Sequence, residues 1–369
     1  MKYWRGYLVA AVIALCGWGL LQFAASHVAL VDMIYPYSSR MVMEYMASWS
    51  AGFDGLLWQV LLVIGVALLL CSIVLMIILR WNPIQWFGWV LVAVSVVFFL
   101  HTGMYGLNQH TSPIQEDIRL EVNEPSAATL EEAAIYYRDK ANELADQVSR
   151  NPDGTVKLAD FEGLAFQAAD GFHYLTYERT YPIFSGSLEP VKPLGWADVL
   201  KERGITAITV PLTGESAVNA KLPAVGLPIA ICKEMARRMA IYSDVDAEFA
   251  AFLACRFNSS QDFQYCAYVM AYRYCYNALA SVNTSYGREA ASRVRSDANK
   301  RMLKDIEALE GFLGAESALP NDGVCKLLVS WHIQEVVIPR QEAESEANKE
   351  FDPMDETDDR LKDIVEGTA

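Results

Sequence analysis

The sequence predicts a mainly α-helical protein, with three transmembrane helices followed by a mostly helical soluble domain that contains a small β element. Two observations carry this prediction. Three uncharged apolar runs lie within residues 1–107, and each is close to the roughly 20 residues that cross a bilayer. The rest of the chain is acidic and is divided by turn signals such as the Asn-Pro-Asp-Gly segment at 151–154, as is typical of a folded soluble domain.

The three apolar runs cover residues 7–28, 56–79 and 84–107. The first follows Lys2 and Arg5, a pattern shared by cleaved signal peptides and membrane anchors. Ala24-Ala25-Ser26 is a weak cleavage signal, and two further apolar runs follow. We therefore interpret all three runs as membrane spans.

The positive charges around the spans predict their orientation. Lys2 and Arg5 precede the first span, and Arg80 lies in the turn between the second and the third. The loop after the first span offsets Arg40 with three acidic residues. Because positive residues favour the cytoplasmic side, we expect a multi-pass cell-membrane protein with a cytoplasmic N-terminus and an extracytoplasmic C-terminal domain.

The charge distribution divides the chain and excludes classes of partner. Residues 1–107 contain four Lys/Arg and three Asp/Glu, whereas residues 108–369 contain 26 and 42. Such an acidic domain argues against nucleic-acid binding. The sequence also lacks a glycine-rich phosphate-binding motif, so it does not predict a nucleotide site. We expect a membrane domain at 1–107, a soluble domain at 108–340 and a disordered acidic tail at 341–369. The lipid bilayer is the first expected partner.

Hydrophobic periodicity and capping signals predict the elements of the soluble domain. The β-branched segment 204–212 is the predicted strand. The five cysteines of this region form no CxxC pair, and their apolar neighbours indicate buried free thiols. Helices are predicted at 129–149, 158–175, 228–241, 247–255, 260–279, 288–312 and 324–337.

The segment from Gly226 to Leu279 contains Cys232, Glu234, Leu253-Ala254-Cys255 and Asn277-Ala278-Leu279. With these residues it resembles an uncharacterised family of bacterial three-span membrane proteins, domain of unknown function 3810. Family members carry a zincin-like segment, CHELSHLRGF-x-REDEANF, followed by LAC and NAL. An upstream PFTGEANVN segment and a WGLNYYR segment after the third span also have counterparts in this chain. The matching residues are Cys232, Glu234, Ala247, Phe249, Leu253-Ala254-Cys255, Phe263, Tyr265, Asn277-Ala278-Leu279, Pro211 to Glu215, Asn219 and Gly106-Leu107-Asn108. The resemblance implies a zincin-like soluble domain.

The chain departs from this motif at the metal-binding positions. A zincin places two histidines at i and i+4 on one helix face, with a glutamate between them as general base. Here those two positions hold Lys233 and Arg237, and Asp246 stands at the third, acidic ligand position. Only Glu234, a vestigial general base, remains. We therefore predict no cofactor in this chain, although zinc is expected in family members with an intact motif.

Lys233 and Arg237 contribute the same charge, +2, as zinc held by two neutral histidines. We hypothesise that they form a buried cluster with Asp246 and Glu234, with Glu215 and Asn219 as a supporting site, because buried charges need such pairing. The alternative is a solvent-exposed helix face on which these charges are merely hydrated.

The resemblance also implies a role for the predicted strand, since zincins present substrate along an edge strand above the metal helix. A groove of this kind would bind a peptide by strand addition; the alternative is an ordinary sheet edge. The leading prediction is a catalytically inactive, membrane-anchored pseudo-metallopeptidase with a peptide or membrane-protein partner. Two other functions remain open: an active zinc peptidase with non-standard ligands, and a purely structural membrane protein.

Overall fold

The computed structural model describes residues 4–314 and 321–343. It contains 72% helix and 4% strand, which confirms the predicted mainly helical class. The membrane part comprises α1 (Arg5–Ser26), α2 (Val28–Ala51), α3 (Leu57–Ile78) and α4 (Pro83–Met104). The helices α1, α3 and α4 are long and apolar enough to cross a membrane, and their ends lie within three residues of the predicted spans.

The second helix, α2, is absent from the sequence prediction, which placed a loop there. Its 24 residues include Pro36 and the charged residues Asp32, Arg40 and Glu44, so no apolar run identifies it. Proline inside a helix costs about 3 kcal/mol, and contacts with the rest of the protein must offset this cost. Arg40, for example, donates hydrogen bonds to the carbonyl oxygens of Pro182 and Ile183.

The soluble part is built from ten helices and three short strands in the described residues. The helices are α5 (Ile114–Asp117), α6 (Ala127–Ala145), α7 (Phe161–Tyr177), α8 (Ala197–Lys201), α9 (Leu227–Arg238), α10 (Asp244–Arg256), α11 (Gln261–Ser281), α12 (Ser285–Ser296), α13 (Lys300–Leu313) and α14 (Asp322–His332). The strands are β1 (Lys192–Pro193), β2 (Ala207–Val210) and β3 (Glu215–Val218). A π-helical turn, Ile333–Val337, follows α14.

Most predicted boundaries differ from the structure by a few residues, and three of the differences have a clear cause. Residues 288–312 form two helices, α12 and α13, because the chain turns at Asp297 and Asn299 caps a new helix. Helix α6 begins at Ala127 rather than at Thr129, because Ser126 is its N-cap and accepts a hydrogen bond from the backbone nitrogen of Thr129. The predicted strand 204–212 is shorter in the structure, where β2 covers Ala207–Val210. It lies between turns at Gly204 and Gly214, whose φ angles are positive, 76° and 65°. The predicted tail, 341–369, lies outside the described residues except for its first three, which are helical.

Helix α10 forms the centre of the soluble core. Every residue from Ala247 to Cys255 is buried, as expected for a helix surrounded on all sides. Helices α7, α9, α11 and α14 pack around it. A Cβ atom at Gly171 of α7 would lie 1.9 Å from the carbonyl oxygen of Ala254, so this close helix crossing requires glycine. The five cysteines of the soluble part are buried and free, as predicted.

The three strands form one sheet in the order β1-β3-β2. Strand β1 is parallel to β3, and β2 is antiparallel to β3. Strand β2 therefore lies at the edge of the sheet. The turn between β2 and β3 rests on α2, since a Cβ atom at Gly214 would lie 2.4 Å from the backbone nitrogen of Ala47. The sheet thus connects the membrane part to the helical core.

Candidate functional site: an ion-pair cluster beside an edge strand

Helix α9 places three of the predicted site residues together. Lys233, Glu234 and Arg237 lie at positions i, i+1 and i+4, so the two cations share one helix face. Lys233 Nζ lies 3.0 Å from Asp244 Oδ1 and 3.0 Å from Glu248 Oε2, both on α10. Arg237 forms an ion pair with Asp244 as well. We call Lys233, Glu234, Arg237, Asp244 and Glu248 the α9–α10 cluster.

Both cations of the cluster remain charged. Burial alone lowers the pKa of Lys233, but the carboxylates of Glu248 and Asp244 outweigh burial, so the pKa is raised above its ordinary value. The same balance raises the pKa of Arg237, where Glu234 and Asp244 oppose the effect of burial. The side chains of Lys233 and Glu248 are 19% and 11% exposed, whereas that of Asp244 is 65% exposed. The cluster is therefore a partly buried group of ion pairs with Asp244 on its solvent side.

Glu234 lies on the inner side of the cluster. Thr209 Oγ1 on β2 donates a hydrogen bond of 2.7 Å to Glu234 Oε2, and Arg237 Nε lies 3.6 Å from Glu234 Oε1. Ser216 Oγ on β3 donates to the backbone carbonyl oxygen of Glu234 at 3.0 Å. Burial raises the pKa of Glu234, and the positive charge of Arg237 offsets part of this increase. Hydrogen bonds from β2 and β3 thus fix both the side chain and the backbone of Glu234 against the sheet.

Two of the predicted partners are not in the cluster. Asp246 accepts a hydrogen bond of 3.4 Å from the backbone nitrogen of Ile114, and it is in none of the salt bridges among residues 4–314 and 321–343. It lines a separate cavity of about 350 Å³ together with Asp32 and Asp117. The prediction that Asp246 pairs with Lys233 and Arg237 is wrong, because α10 turns this side chain away from α9.

Glu215 also lies outside the cluster. Its carboxylate accepts hydrogen bonds from the backbone nitrogens of Leu57 (2.8 Å) and Trp58 (2.9 Å), at the first turn of α3. Lys192 Nζ lies 2.9 Å from Glu215 Oε1. Asn219 ends the β2–β3 hairpin, where its backbone nitrogen donates to Thr206 and its Oδ1 accepts from the backbone of Lys221. Both predicted supporting residues therefore stabilise the sheet and its junction with the membrane part.

Sequence reasoning missed Asp244, Glu248, Thr209 and Tyr274. Tyr274 donates a hydrogen bond of 2.7 Å to Glu248 Oε1. A signal for two of them exists in the sequence, since Asp244 and Glu248 are four residues apart and share a helix face. That spacing matches the spacing of Lys233 and Arg237 on the facing helix. The hydroxyls of Thr209 and Tyr274 come from distant segments and carry no comparable signal.

An open cleft of about 530 Å³ borders the cluster. Its walls comprise residues 204–209 with β2, the cluster itself, and Leu309 and Leu313 of α13. The backbone nitrogen of Asn219 donates to the carbonyl oxygen of Thr206, and in an antiparallel pair every second residue is hydrogen-bonded to the neighbouring strand. In the register of β2 and β3, the backbone groups of Ala207 and Thr209 therefore point away from β3, to the free edge of the sheet. The cleft thus combines unpaired strand groups with charged side chains.

The fold and the site define a class: a membrane protein whose helical soluble domain carries a partly buried ion-pair cluster beside an edge strand. The chain belongs to the family described as Protein of unknown function (DUF3810), whose model matches residues 31–322. No curated protein and no solved structure matches the chain.

Proposed function

We propose that this chain is a membrane-anchored, catalytically inactive zincin-like protein that binds an extended peptide segment at the cell envelope. One observation carries the proposal. The two positions that match the metal-binding histidines of the resembling motif hold Lys233 and Arg237, and both cations are paired with carboxylates of α10. The face that binds zinc in a zincin is occupied here by ion pairs.

The residues of the cluster do not fit zinc. Zinc needs donor atoms with a free lone pair. The raised pKa of Lys233 keeps its amine protonated at neutral pH, and the guanidinium of Arg237 offers no lone pair. Among the residues that the structure describes, no group of three or more His, Cys, Asp and Glu side chains could hold a metal ion. Glu234 then has no metal-bound water to activate.

The geometry also changes the residue assigned to the third ligand position. Asp244 and Glu248, not Asp246, face Lys233 and Arg237. In the resembling motif REDEANF, the position of Asp244 is also acidic. We therefore propose Asp244 as the counterpart of the acidic ligand, with Glu248 as the second carboxylate that balances the two cations.

The cleft supports peptide binding. Edge strands that expose alternate backbone N–H and C=O groups bind extended peptides by strand addition. In β2, the groups of Ala207 and Thr209 point to the cleft side, where the cluster provides both positive and negative charges. By the positive-inside rule, we place the N-terminus in the cytoplasm and this cleft outside it.

Zinc content tests the loss of the metal site. We expect purified full-length protein to be free of zinc, whereas the double variant Lys233→His/Arg237→His binds about one zinc ion, because the two imidazoles and a carboxylate of α10 supply three ligands. The matched control, Lys233→Gln/Arg237→Gln, removes the same charges without adding strong donors and should bind none. Metal is measured by mass spectrometry after dialysis.

Two results would contradict the proposal. Stoichiometric zinc in the wild type would favour an active metallopeptidase with non-standard ligands, and loss of peptide hydrolysis in Glu234→Gln would then establish it. Failure of the histidine variant to bind zinc, in a sample that remains folded by circular dichroism, would show that α9 and α10 do not have zincin geometry.

Strand addition is tested by removing one free N–H group. Ala207→Pro deletes the backbone donor that points into the cleft, and edge strands tolerate proline at such positions. We expect a displayed library of random heptapeptides to be enriched on the wild type and on Ala207→Val, which keeps the N–H group, but not on Ala207→Pro. Equal enrichment on all three proteins would exclude pairing with β2, and absence of enrichment on the wild type would favour a purely structural membrane protein.

A further inference from the structure

Helix α2 has an exposed, largely apolar face, part of which (Tyr37, Met41 and Glu44) also borders an open cleft beside α7. Between Met33 and Trp49 its exposed residues recur every three to four positions, so they form one stripe along the helix. Only one of them, Glu44, is charged. The exposed fractions of the large apolar and aromatic side chains range from 52% for Ile34 to 72% for Met33. The residues of this α2 stripe are Met33, Ile34, Tyr37, Met41, Glu44, Tyr45, Ser48 and Trp49.

The opposite face of α2 packs against protein. Met43 and Ala47 are 0% and 2% exposed, and the β2–β3 turn at Gly214 lies against the backbone of Ala47. Ser39 Oγ donates a hydrogen bond of 2.8 Å to the carbonyl oxygen of Met104, at the end of α4. Helix α2 therefore has two faces, one fixed to the protein and one largely apolar and open.

The two neighbours of α2 in the chain are membrane spans. Helix α1 ends at Ser26, before α2 begins at Val28, and α3 begins at Leu57, shortly after α2 ends at Ala51. Helix α2 itself is not among the membrane-length apolar helices. It is about 36 Å long at 1.5 Å per residue, so it joins two points where the chain enters the membrane.

Aromatic side chains gather where α2 leads into α3. Trp49 packs against Phe53 with ring centroids 5.7 Å apart, and Trp58 at the start of α3 packs against Trp196 of the soluble domain at 6.2 Å. Trp196 is 49% exposed. Tryptophan and tyrosine are enriched at the boundary between lipid tails and water. These aromatic side chains therefore indicate that the end of α2 and the start of α3 lie at the membrane surface.

We infer that α2 lies in the plane of the bilayer surface, with the α2 stripe inserted among the lipid headgroups and the upper acyl chains. The soluble domain rests on the other face of the helix. This arrangement is that of an interfacial amphipathic helix, and it continues the membrane contact of α1 and α3. The membrane is thus a binding partner of the linker between the first two spans.

The chemistry of the stripe indicates apolar insertion rather than attraction to anionic lipids. The α2 stripe contains no Lys or Arg, and the one basic residue of α2, Arg40, donates to carbonyl oxygens of the soluble domain. Basic residues supply about 1 kcal/mol each to binding of anionic lipids. We therefore expect the depth of α2 to be the same in zwitterionic and in anionic bilayers.

Spin labels on full-length protein in nanodiscs test this placement. Single cysteines at Met41, Tyr45 and Trp49 are introduced in a Cys16→Ala/Cys71→Ala background, since the other five cysteines are buried. Lys140→Cys on α6, where the lysine side chain is 43% exposed, is the water reference, and Leu68→Cys on α3 is the reference for the membrane interior. Accessibility to oxygen and to a water-soluble nickel chelate is measured by power saturation in zwitterionic discs and in discs that also contain anionic lipid.

The labels on the α2 stripe are expected to be accessible to oxygen and several-fold less accessible to nickel than the label at Lys140, at a depth shallower than the label at Leu68. Nickel accessibility equal to that at Lys140 would overturn the inference, because the stripe would then be in water. Protection from both reagents would also overturn it and indicate contact with protein, such as a second copy of this chain. Depth that depends on anionic lipid would contradict apolar insertion.

Discussion

Replacing Glu215 by alanine is expected to cause the largest loss of stability among single substitutions at the sites described above. The Glu215 side chain is 1% exposed and forms an ion pair with Lys192. It also accepts hydrogen bonds from the first two residues of α3, Leu57 and Trp58. Removing one partner of a buried ion pair costs about 3–5 kcal/mol, because the other charge stays buried without compensation.

Lys192 would be the uncompensated charge. Its Nζ also lies 2.9 Å from the carbonyl oxygens of Ser50, Phe53 and Gly55, and its three N–H groups are shared among these oxygens and Glu215, so it cannot leave the junction without losing these hydrogen bonds. The junction where β1, β3, α2 and the start of α3 meet therefore depends on one carboxylate. We expect Glu215→Ala to lower the thermal midpoint of the full-length protein in detergent by on the order of 10 °C.

The control for this prediction is Asp198→Ala, which breaks an ion pair with Lys221. Both side chains of that pair are well exposed, at 73% and 65%, and such surface pairs contribute about 0–1 kcal/mol. The double variant Glu215→Ala/Lys192→Met removes both buried charges and should recover part of the lost stability. A midpoint for Glu215→Ala close to that of Asp198→Ala would show that the junction does not depend on this pair.

The membrane spans were predictable because their signal is local and additive. Some 20 consecutive apolar residues identify a membrane-length helix whatever surrounds it, and α1, α3 and α4 satisfy this condition. Helix α2 was not predictable in this way. Its apolar residues are interspersed with Asp32, Arg40 and Glu44, and its stability depends on contacts with the soluble domain that lie far away in the sequence.

The candidate site shows the same limit at the level of single residues. Lys233, Glu234 and Arg237 were predicted together because their spacing on one helix determines their relative positions. Their partners depend on how α10 is rotated against α9. Two residues along a helix correspond to a rotation of about 200°, so Asp246 lies on nearly the opposite side of α10 from Asp244 and Glu248. The rotation of α10 about its axis therefore decides which of these carboxylates meets the cations of α9. Only the packed structure fixes this rotation.

Paired substitutions in the α9–α10 cluster are expected to show the second large effect. Lys233→Met removes the cation that pairs with Glu248 and leaves Asp244 with Arg237. Glu248→Gln leaves Lys233 paired with Asp244 alone, while the new glutamine side chain can still accept the hydrogen bond from Tyr274. We expect each single variant to lose about 2–4 kcal/mol of stability. The double variant should lose less than the sum, by about 1–2 kcal/mol, because the second substitution removes a charge that the first left unpaired.

Asp246→Ala is the matched control, since it removes a carboxylate from the same helix on the other side. Burial raises the pKa of Asp246, so keeping this carboxyl ionised at neutral pH costs stability, and that cost offsets its long hydrogen bond from Ile114. The thermal midpoint of Asp246→Ala should therefore stay close to that of the wild type. Coupling between Lys233 and Glu248, without loss in Asp246→Ala, would support the proposal that ion pairs join α9 to α10 at the positions where a zincin holds its metal. Additive single effects would show that the pair of Lys233 and Glu248 contributes no coupling energy, which would contradict the proposal that the cluster stands in for a metal.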